Sequence, residues 1–122
     1  MADLILEPYS TVLCLQVLQT GLQPELVLKD ALETLAGKCP AAGNSVIGHI
    51  KALALFPDHQ YLRVSVVAAN LPATLEGAAP ADCTELEITL NVLVYGLTRS
   101  QIDEIVLATL SEIAQRWLVR IS

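Results

Sequence analysis

The side chains in this sequence that could do chemistry lie on three segments in which apolar and polar residues alternate. Each segment contributes two of them, spaced two residues apart: His49 and Lys51, Tyr61 and Arg63, and Glu85 and Glu87. Successive side chains of a β-strand point to opposite faces, so residues two apart share a face. If the three segments are neighbouring strands, one surface gathers a general base, cations and two carboxylates. Such a set could bind a small acid or stabilise an enolate.

Other interpretations of the same residues predict less chemistry. Cross-strand pairs of opposite charge are common on solvated sheet faces, and these six side chains fit that pattern as well. A metal site built from His49, Glu85 and Glu87 is a weaker alternative, because the other histidine, His59, falls beside a predicted turn. The sequence also lacks a nucleophile elbow and a glycine-rich phosphate loop. We therefore predict ligand binding by the six residues, with no metal, no cofactor and no identified catalytic residue.

A β-hairpin positions the first four of these side chains. Two alternating runs, residues 46–56 and 60–70, flank a Pro-Asp turn. Two registers compete. Pairing Leu55 with Gln60 places the charged residues of the first run on the core face, which costs several kcal/mol. Pairing Leu55 with Tyr61 places them on the outer face, and we predict this second register.

The C-terminal half of the chain predicts one more strand and a helix. Residues 84–95 alternate most clearly of all and predict a third strand. A long loop, residues 71–83, connects it to the hairpin. Thr98 and Gln101 have the spacing of a capping box, and the apolar residues after them recur at three and four. A terminal amphipathic helix is therefore predicted to end near Trp117.

The N-terminal part of the chain predicts two helices. In residues 9–20 the glutamines follow a helical spacing, which favours a helix, although the apolar residues there also alternate as in a strand. A second helix is predicted from Pro24, a residue suited to the first helical position, to Gly37. Residues 38–44 contain Cys-Pro and Gly-Asn pairs and predict a loop.

These elements predict a single α+β domain over residues 1–122. Their order is α-α-β-β-β-α, with a strand as the alternative for the first element. The helices are expected to cover one face of a small antiparallel three-stranded sheet, whose other face is polar. Hydrophobic residues make up 53% of the chain, which is enough to build a packed core.

Charge and cysteine content restrict the compartment and the partners. A net charge of −6 argues against nucleic acid, whose binding depends on neutralising phosphates. The three cysteines are odd in number and form no Cys-x-x-Cys pair, which indicates reduced thiols in the cytoplasm. The N-terminal residues lack the basic region of a secretory signal, and no apolar run reaches the roughly 20 residues that span a bilayer. We expect a cytoplasmic protein with no membrane partner.

The predicted function rests on the absence of a catalytic motif together with the high apolar content. With only 16% charged residues, some apolar side chains are left for contacts between subunits. We expect a non-catalytic module that forms a homodimer or higher oligomer through an open edge or face of its sheet. Its polar sheet face would bind a protein partner or a small acidic ligand. The alternative is a small oligomeric enzyme of the lyase or isomerase type, with a site at a subunit interface that uses Lys51 and His49 and with the loop 71–83 as a lid.

Overall fold

Within residues 6–122, the part of the chain that the computed structural model describes, a six-stranded sheet forms one layer and two helices form the other. The strands pair in the order β4-β3-β2-β5-β1-β6, and every pair is antiparallel. The elements are, in chain order, β1 Tyr9–Val17, α1 Pro24–Ala42, β2 Val46–Leu55, β3 Tyr61–Val66, β4 Thr74–Gly77, β5 Glu85–Tyr95, α2 Arg99–Arg116 and β6 Val119–Ile121.

This architecture keeps the predicted α+β class but corrects the three-stranded sheet and the order α-α-β-β-β-α. Two of the additional strands are short. β4 has four residues inside the predicted loop 71–83, and β6 has three residues after the terminal helix. Strands of three or four residues are too short to show a clear alternation, and both form edges of the sheet. Their pairing with β3 and β1 could therefore not be inferred from local pattern.

The helix predicted over residues 9–20 is wrong, and the strand alternative is what forms. β1 pairs with β5 on one side and with β6 on the other. Tyr9 and Leu15 are buried on the helix side of the sheet. The helical spacing of the glutamines is accidental, because Gln16 lies on the strand, whereas Gln19 and Gln23 lie in the connection to α1.

Helix α1 is longer than predicted and continues past Gly37 through Pro40 to Ala42. Cys39 holds this last turn against the core: it is 1% exposed, and its thiol donates to the Leu35 carbonyl at 3.5 Å. Pro40 removes one backbone hydrogen bond, and the helix ends two residues later. The predicted loop over 38–44 is therefore wrong for all but its last residues.

The predicted hairpin register is confirmed, with Leu55 opposite Tyr61 and Ile50 opposite Val66. Asp58 and His59 form the centre of the turn with φ angles of 62° and 60°. Two consecutive residues with positive φ are typical of the type I′ turn, whose twist matches that of the flanking strands. The side chains that β2 turns towards the helices are therefore apolar, and its charged side chains lie on the opposite face.

The core lies between the sheet and the two helices. β5 contributes five side chains to it that are at most 3% exposed: Leu86, Ile88, Leu90, Val92 and Val94. The predicted capping box of α2 is confirmed. The Gln101 N–H donates to the Thr98 hydroxyl at 3.2 Å, and the Thr98 N–H donates to the Gln101 side-chain oxygen at 2.8 Å. Neither helix has both the length and the apolar character needed to cross a bilayer in the described part of the chain.

A carboxylate on α1 joins the two helices at one end. Arg116 donates to both oxygens of Asp30, at 2.8 and 2.7 Å, and the Trp117 indole N–H donates to Asp30 Oδ2 at 2.7 Å. Burial by itself raises the pKa of Asp30, but the hydrogen bonds from Trp117 and Arg116 outweigh it and hold the pKa below its usual value. The charged form of Asp30 therefore stabilises the folded state.

Replacing this carboxylate is expected to destabilise the fold in a pH-dependent way. Asp30→Asn should lower the free energy of unfolding by about 1–3 kcal/mol at pH 7, the range for hydrogen bonds to a charged group. Because the folded pKa is depressed, the stabilisation is present above the unfolded value of about 3.9 and is lost as the pH falls through the folded pKa. Urea unfolding between pH 7 and pH 2 measures the difference. The exposed Glu104→Gln on α2 is the control, and an Asp30→Asn protein as stable as this control at pH 7 would contradict the prediction.

Candidate anion-binding cleft

The six predicted site residues occupy three separate places on the sheet face that points away from the helices, called here the outer face. His49 and Lys51 lie on β2, Tyr61 and Arg63 lie on β3, and Glu85 and Glu87 lie near the start of β5. Lys51 is opposite Asn91. Since Glu87 precedes Asn91 by four residues, it is roughly 13 Å farther along β5. The structure therefore does not bring the two glutamates beside His49.

The two residues on β3 also lie away from His49. Arg63 forms an ion pair with Glu76 of β4. Tyr61 pairs with Leu55 at the far end of β2, beside the hairpin turn. Both side chains thus belong to the β3 and β4 side of the outer face, and the positive charge of Arg63 already has a partner.

The two glutamates of β5 face β1. Glu85 accepts a hydrogen bond from the Cys14 thiol at 3.1 Å, and Glu87 is opposite Cys14 in the register. The hydrogen bond to Glu85 raises the pKa of the Cys14 thiol. No group of three or more His, Cys, Asp or Glu residues has a metal-binding arrangement within residues 6–122.

His49 and Lys51 line a cleft of about 390 Å³ on the outer face. Asn91 lies next to Lys51, and Ser10 lies next to Asn91 on the other side, so the three residues form one row across β2, β5 and β1. The other residues around the cleft are Pro8, Tyr9, Val92, Leu93 and Arg99. Among residues 6–122, no carboxylate oxygen lies within 4 Å of the Lys51 or Arg99 side-chain nitrogens. The cleft is therefore a cationic site on a chain of net charge −6.

A β-bulge sets the position of His49. The register of β2 with β5 shifts between Ile47 and His49, so that Gly48 is the extra residue and His49 lies opposite Leu93. A Cβ on Gly48 would lie 3.1 Å from the Leu93 carbonyl oxygen, closer than side chains normally pack. His49 Nδ1 is buried and has no hydrogen-bond partner among the described residues. An unpaired buried polar atom is costly, and this one belongs to a side chain that lines the cleft.

Arg99 is positioned by contacts between the first turn of α2 and the start of β1. Its guanidinium carbon lies 5.9 Å from the centroid of the Tyr9 ring. The Tyr9 hydroxyl donates to Asp103 Oδ1 at 3.0 Å, and burial together with this hydrogen bond raises the pKa of Tyr9. The Glu7 carboxylate accepts the Arg99 backbone N–H at 3.1 Å. These contacts hold Arg99 at the side of the cleft formed by β1.

Three cleft residues were missed in the sequence. The alternation of residues 84–95 already placed Asn91 on the outer face, but it gave no information on its neighbours. Ser10 was hidden by the helical interpretation of residues 9–20. Arg99 carried a usable signal, because a cation in the first turn of a helix opposes the helix dipole and requires another reason for its position.

The cleft has the donors needed to bind a carboxylate. The Lys51 ammonium supplies a point charge, and the planar guanidinium of Arg99 can donate two parallel hydrogen bonds to one carboxylate. Ser10 and Asn91 add a hydroxyl and an amide N–H₂. The cleft thus offers hydrogen-bond donors and positive charge, and none of the residues that line it is an aspartate or glutamate.

A second cavity, between the helices and β1 and β5, is apolar and measures about 30 Å³. Its one polar residue, Thr109, donates its hydroxyl hydrogen to the Ile105 carbonyl at 2.8 Å. A space of this size admits about one water molecule, and apolar cavities stay dry. We therefore do not consider this cavity a ligand site.

Comparison of the chain with protein-family models, with curated protein sequences and with solved structures gave no match. The function is therefore inferred from the geometry and charge of the cleft.

The three cysteines are free thiols, and they differ in accessibility. Burial raises the pKa of Cys39 to about 11, whereas Cys14 and Cys83 are half-buried. Since the thiolate is the reactive form, Cys39 should resist alkylation by iodoacetamide at pH 8 until the protein unfolds, while Cys14 and Cys83 react first. Peptide mass spectrometry after timed labelling measures the order. Modification of Cys39 in the native protein as fast as that of Cys14 would show that the last turn of α1 is not packed as described.

Proposed function

We propose that this chain is a cytoplasmic, self-associating module that binds a carboxylate-bearing ligand in the cleft around Lys51 and His49. The observation that carries the proposal is the pair of cations, Lys51 and Arg99, that line one cleft with no carboxylate partner among residues 6–122. In an acidic protein, unpaired cations on one surface favour an anionic partner. Three free thiols support the reducing compartment.

A carboxylate fits this cleft better than a phosphate does. The sequence has no glycine-rich loop. The α2 N-terminus borders the cleft, but its Arg99 and Gln101 N–H groups already donate to the side chains of Glu7 and Thr98. Arg99 and Lys51 lie on different sides of the cleft, since Arg99 contacts β1 and Lys51 lies on β2. A ligand that carries two carboxylates could therefore contact both cations.

Removing Lys51 should weaken the binding of such a ligand. With succinate as the probe, Lys51→Ala is expected to lower the affinity about tenfold, or ~1.4 kcal/mol, since it removes one charge-assisted contact. Isothermal titration calorimetry measures the affinity. Chemical-shift changes at the Ser10 and Asn91 amides locate the ligand on the protein.

The matched control is Arg120→Ala. Arg120 lies on β6 beside Gln16, at the other end of the outer face, and within residues 6–122 it forms no ion pair. Its removal changes the net charge equally but leaves the cleft intact, so the affinity should stay within about twofold of the parent. Equal losses in both variants would show that succinate responds to overall charge, and no binding by the parent protein would reject the cleft as a carboxylate site.

The enzyme alternative has one observation in its favour: His49 lines the cleft, and its buried Nδ1 has no hydrogen-bond partner among residues 6–122. A lyase or isomerase needs a group that accepts a proton from the bound acid, and a neutral imidazole nitrogen can do so. Segment 71–83 does not contribute a lid to this cleft, since none of its residues lines it and the Ala73 and Ala79 N–H groups donate to Glu33 and Glu25 of α1.

Turnover distinguishes the two functions. If the protein is an enzyme, incubation with a set of hydroxy and unsaturated carboxylic acids should convert at least one of them, as followed by proton NMR. His49→Gln should then stop conversion and retain binding. Binding without conversion of any acid in the set supports the non-catalytic module.

A further inference from the structure

The outer face of the sheet is uncovered by any element within residues 6–122, and it mixes charged with apolar side chains. Leu55 is 75% exposed and Val12 is 59% exposed there. The edges of the sheet are less suited to association, because β4 and β6 have only four and three residues and could pair with little of another chain. The outer face therefore offers a second copy of this chain more area than either edge does.

The strand register divides this face into rows of neighbouring side chains. A central row crosses the sheet through Val12, Thr89, Leu53 and Arg63. Two residues after Thr89 on β5 lies Asn91, in a row with Lys51 of β2. Two residues before Thr89 lies Glu87, on the other side of the central row. The next outward residue beyond Asn91 is Leu93, which lies opposite His49, and the next one before Glu87 is Glu85. On β2 and β5 the central row therefore separates Lys51 and His49 from Glu87 and Glu85, and the cation Arg120 lies two strands away from Glu85, beyond Gln16.

Lys51 and Glu87, on opposite sides of the central row, form no ion pair within residues 6–122. Lys51 has no carboxylate within 4 Å among residues 6–122, as described above. The Glu87 carboxylate likewise has no hydrogen bond or ion pair to a described residue. Among the described residues, the Glu85 carboxylate accepts a single hydrogen bond, the weak one from the Cys14 thiol. A cation and an acid on opposite sides of one row are suited to pairing between two copies related by a two-fold axis.

We propose that two copies of this chain stack outer face to outer face, about a two-fold axis that runs along the central row, and that Glu87 of each copy occupies the cleft of the other. Rotation about this axis exchanges the two ends of β5, so Glu87 comes to lie over Asn91 of the second copy. Lys51 of that copy is one strand away, about 4.8 Å to the side. Glu85 comes over Leu93, next to His49. This inference rests on the proposed function, since it names the carboxylate that the cleft binds.

Distances and area fit such a pair. Stacked sheets pack about 10 Å apart, a gap that a lysine and a glutamate side chain span together. The six strands present a face of roughly 700 Å² at about 4.8 Å per strand and 3.3 Å per residue. Stable interfaces bury about 600–1,000 Å² per partner, so nearly the whole face must be covered. Along the axis, Leu53 and Val12 meet their own copies in the middle, and the charge of Arg63 is compensated by Glu76 beside it.

Charge reversal tests the pairing. Lys51→Glu and Glu87→Lys should each weaken self-association of the full chain about tenfold or more, measured by sedimentation velocity over a concentration series. An equimolar mixture of the two variants should restore association, because both intermolecular contacts then join a glutamate to a lysine. Glu104→Lys, an equal reversal on the exposed side of α2, is the control and should associate like the parent protein.

Three results would overturn the inference. A parent protein that sediments as a monomer at all concentrations would do so, as would a dimer that neither reversal weakens. A mixture that fails to restore association would show that the two residues do not meet. In each case succinate binding by the Glu87→Lys protein decides the proposed function separately, because that variant retains every residue that lines the cleft. If it binds succinate, the cleft is a carboxylate site whatever the oligomeric state.

Discussion

The apolar side of β5 is the constraint on which the rest of the structure depends. Its five inward residues, from Leu86 to Val94, are buried beneath the helices, so the residues between them face outwards. β5 is the longest strand, and it pairs with β1 on one side and β2 on the other. Its register therefore decides which side chains of three strands share the outer face. Burial of apolar area fixes this choice, because a slip of one residue would expose the whole inward set.

Elements with a strong local pattern could be predicted from the sequence, and elements defined by distant partners could not. The hairpin register followed from the cost of burying His49 and Lys51, and the α2 capping box followed from Thr98 and Gln101. β1 could not be assigned because its residues fit either period, and only its position between β5 and β6 decides. The loop predicted around Pro40 was wrong for a related reason. Its local effect favours a helix end, but the burial of Cys39 extends α1 beyond it.

The arrangement of the candidate site, like that of β1, could not be predicted from local sequence. Alternation placed all six predicted residues on one face, but strand order determines which of them are neighbours, and the sequence does not contain it. β5 lies beside β2 with its chain direction reversed, so Asn91 is next to Lys51 and Glu87 is at the far end. The strand topology therefore separates Lys51 from Glu87 on the outer face. It leaves the cleft without an internal carboxylate, whereas a parallel placement of β5 would have brought the two signs together.

Arg99 shows how the cleft and the fold constrain each other. A cation in the first turn of α2 lies at the positive end of the helix dipole, which disfavours it. Thr98 and Gln101 already satisfy the backbone there, and Glu7 adds an acid at the same terminus. The Arg99 side chain is not needed to cap the helix, and its guanidinium lies 5.9 Å from the Tyr9 ring centroid, at the side of the cleft formed by β1. A cation that opposes the helix dipole but lines the same cleft as Lys51 supports the proposal that this cleft binds an anion.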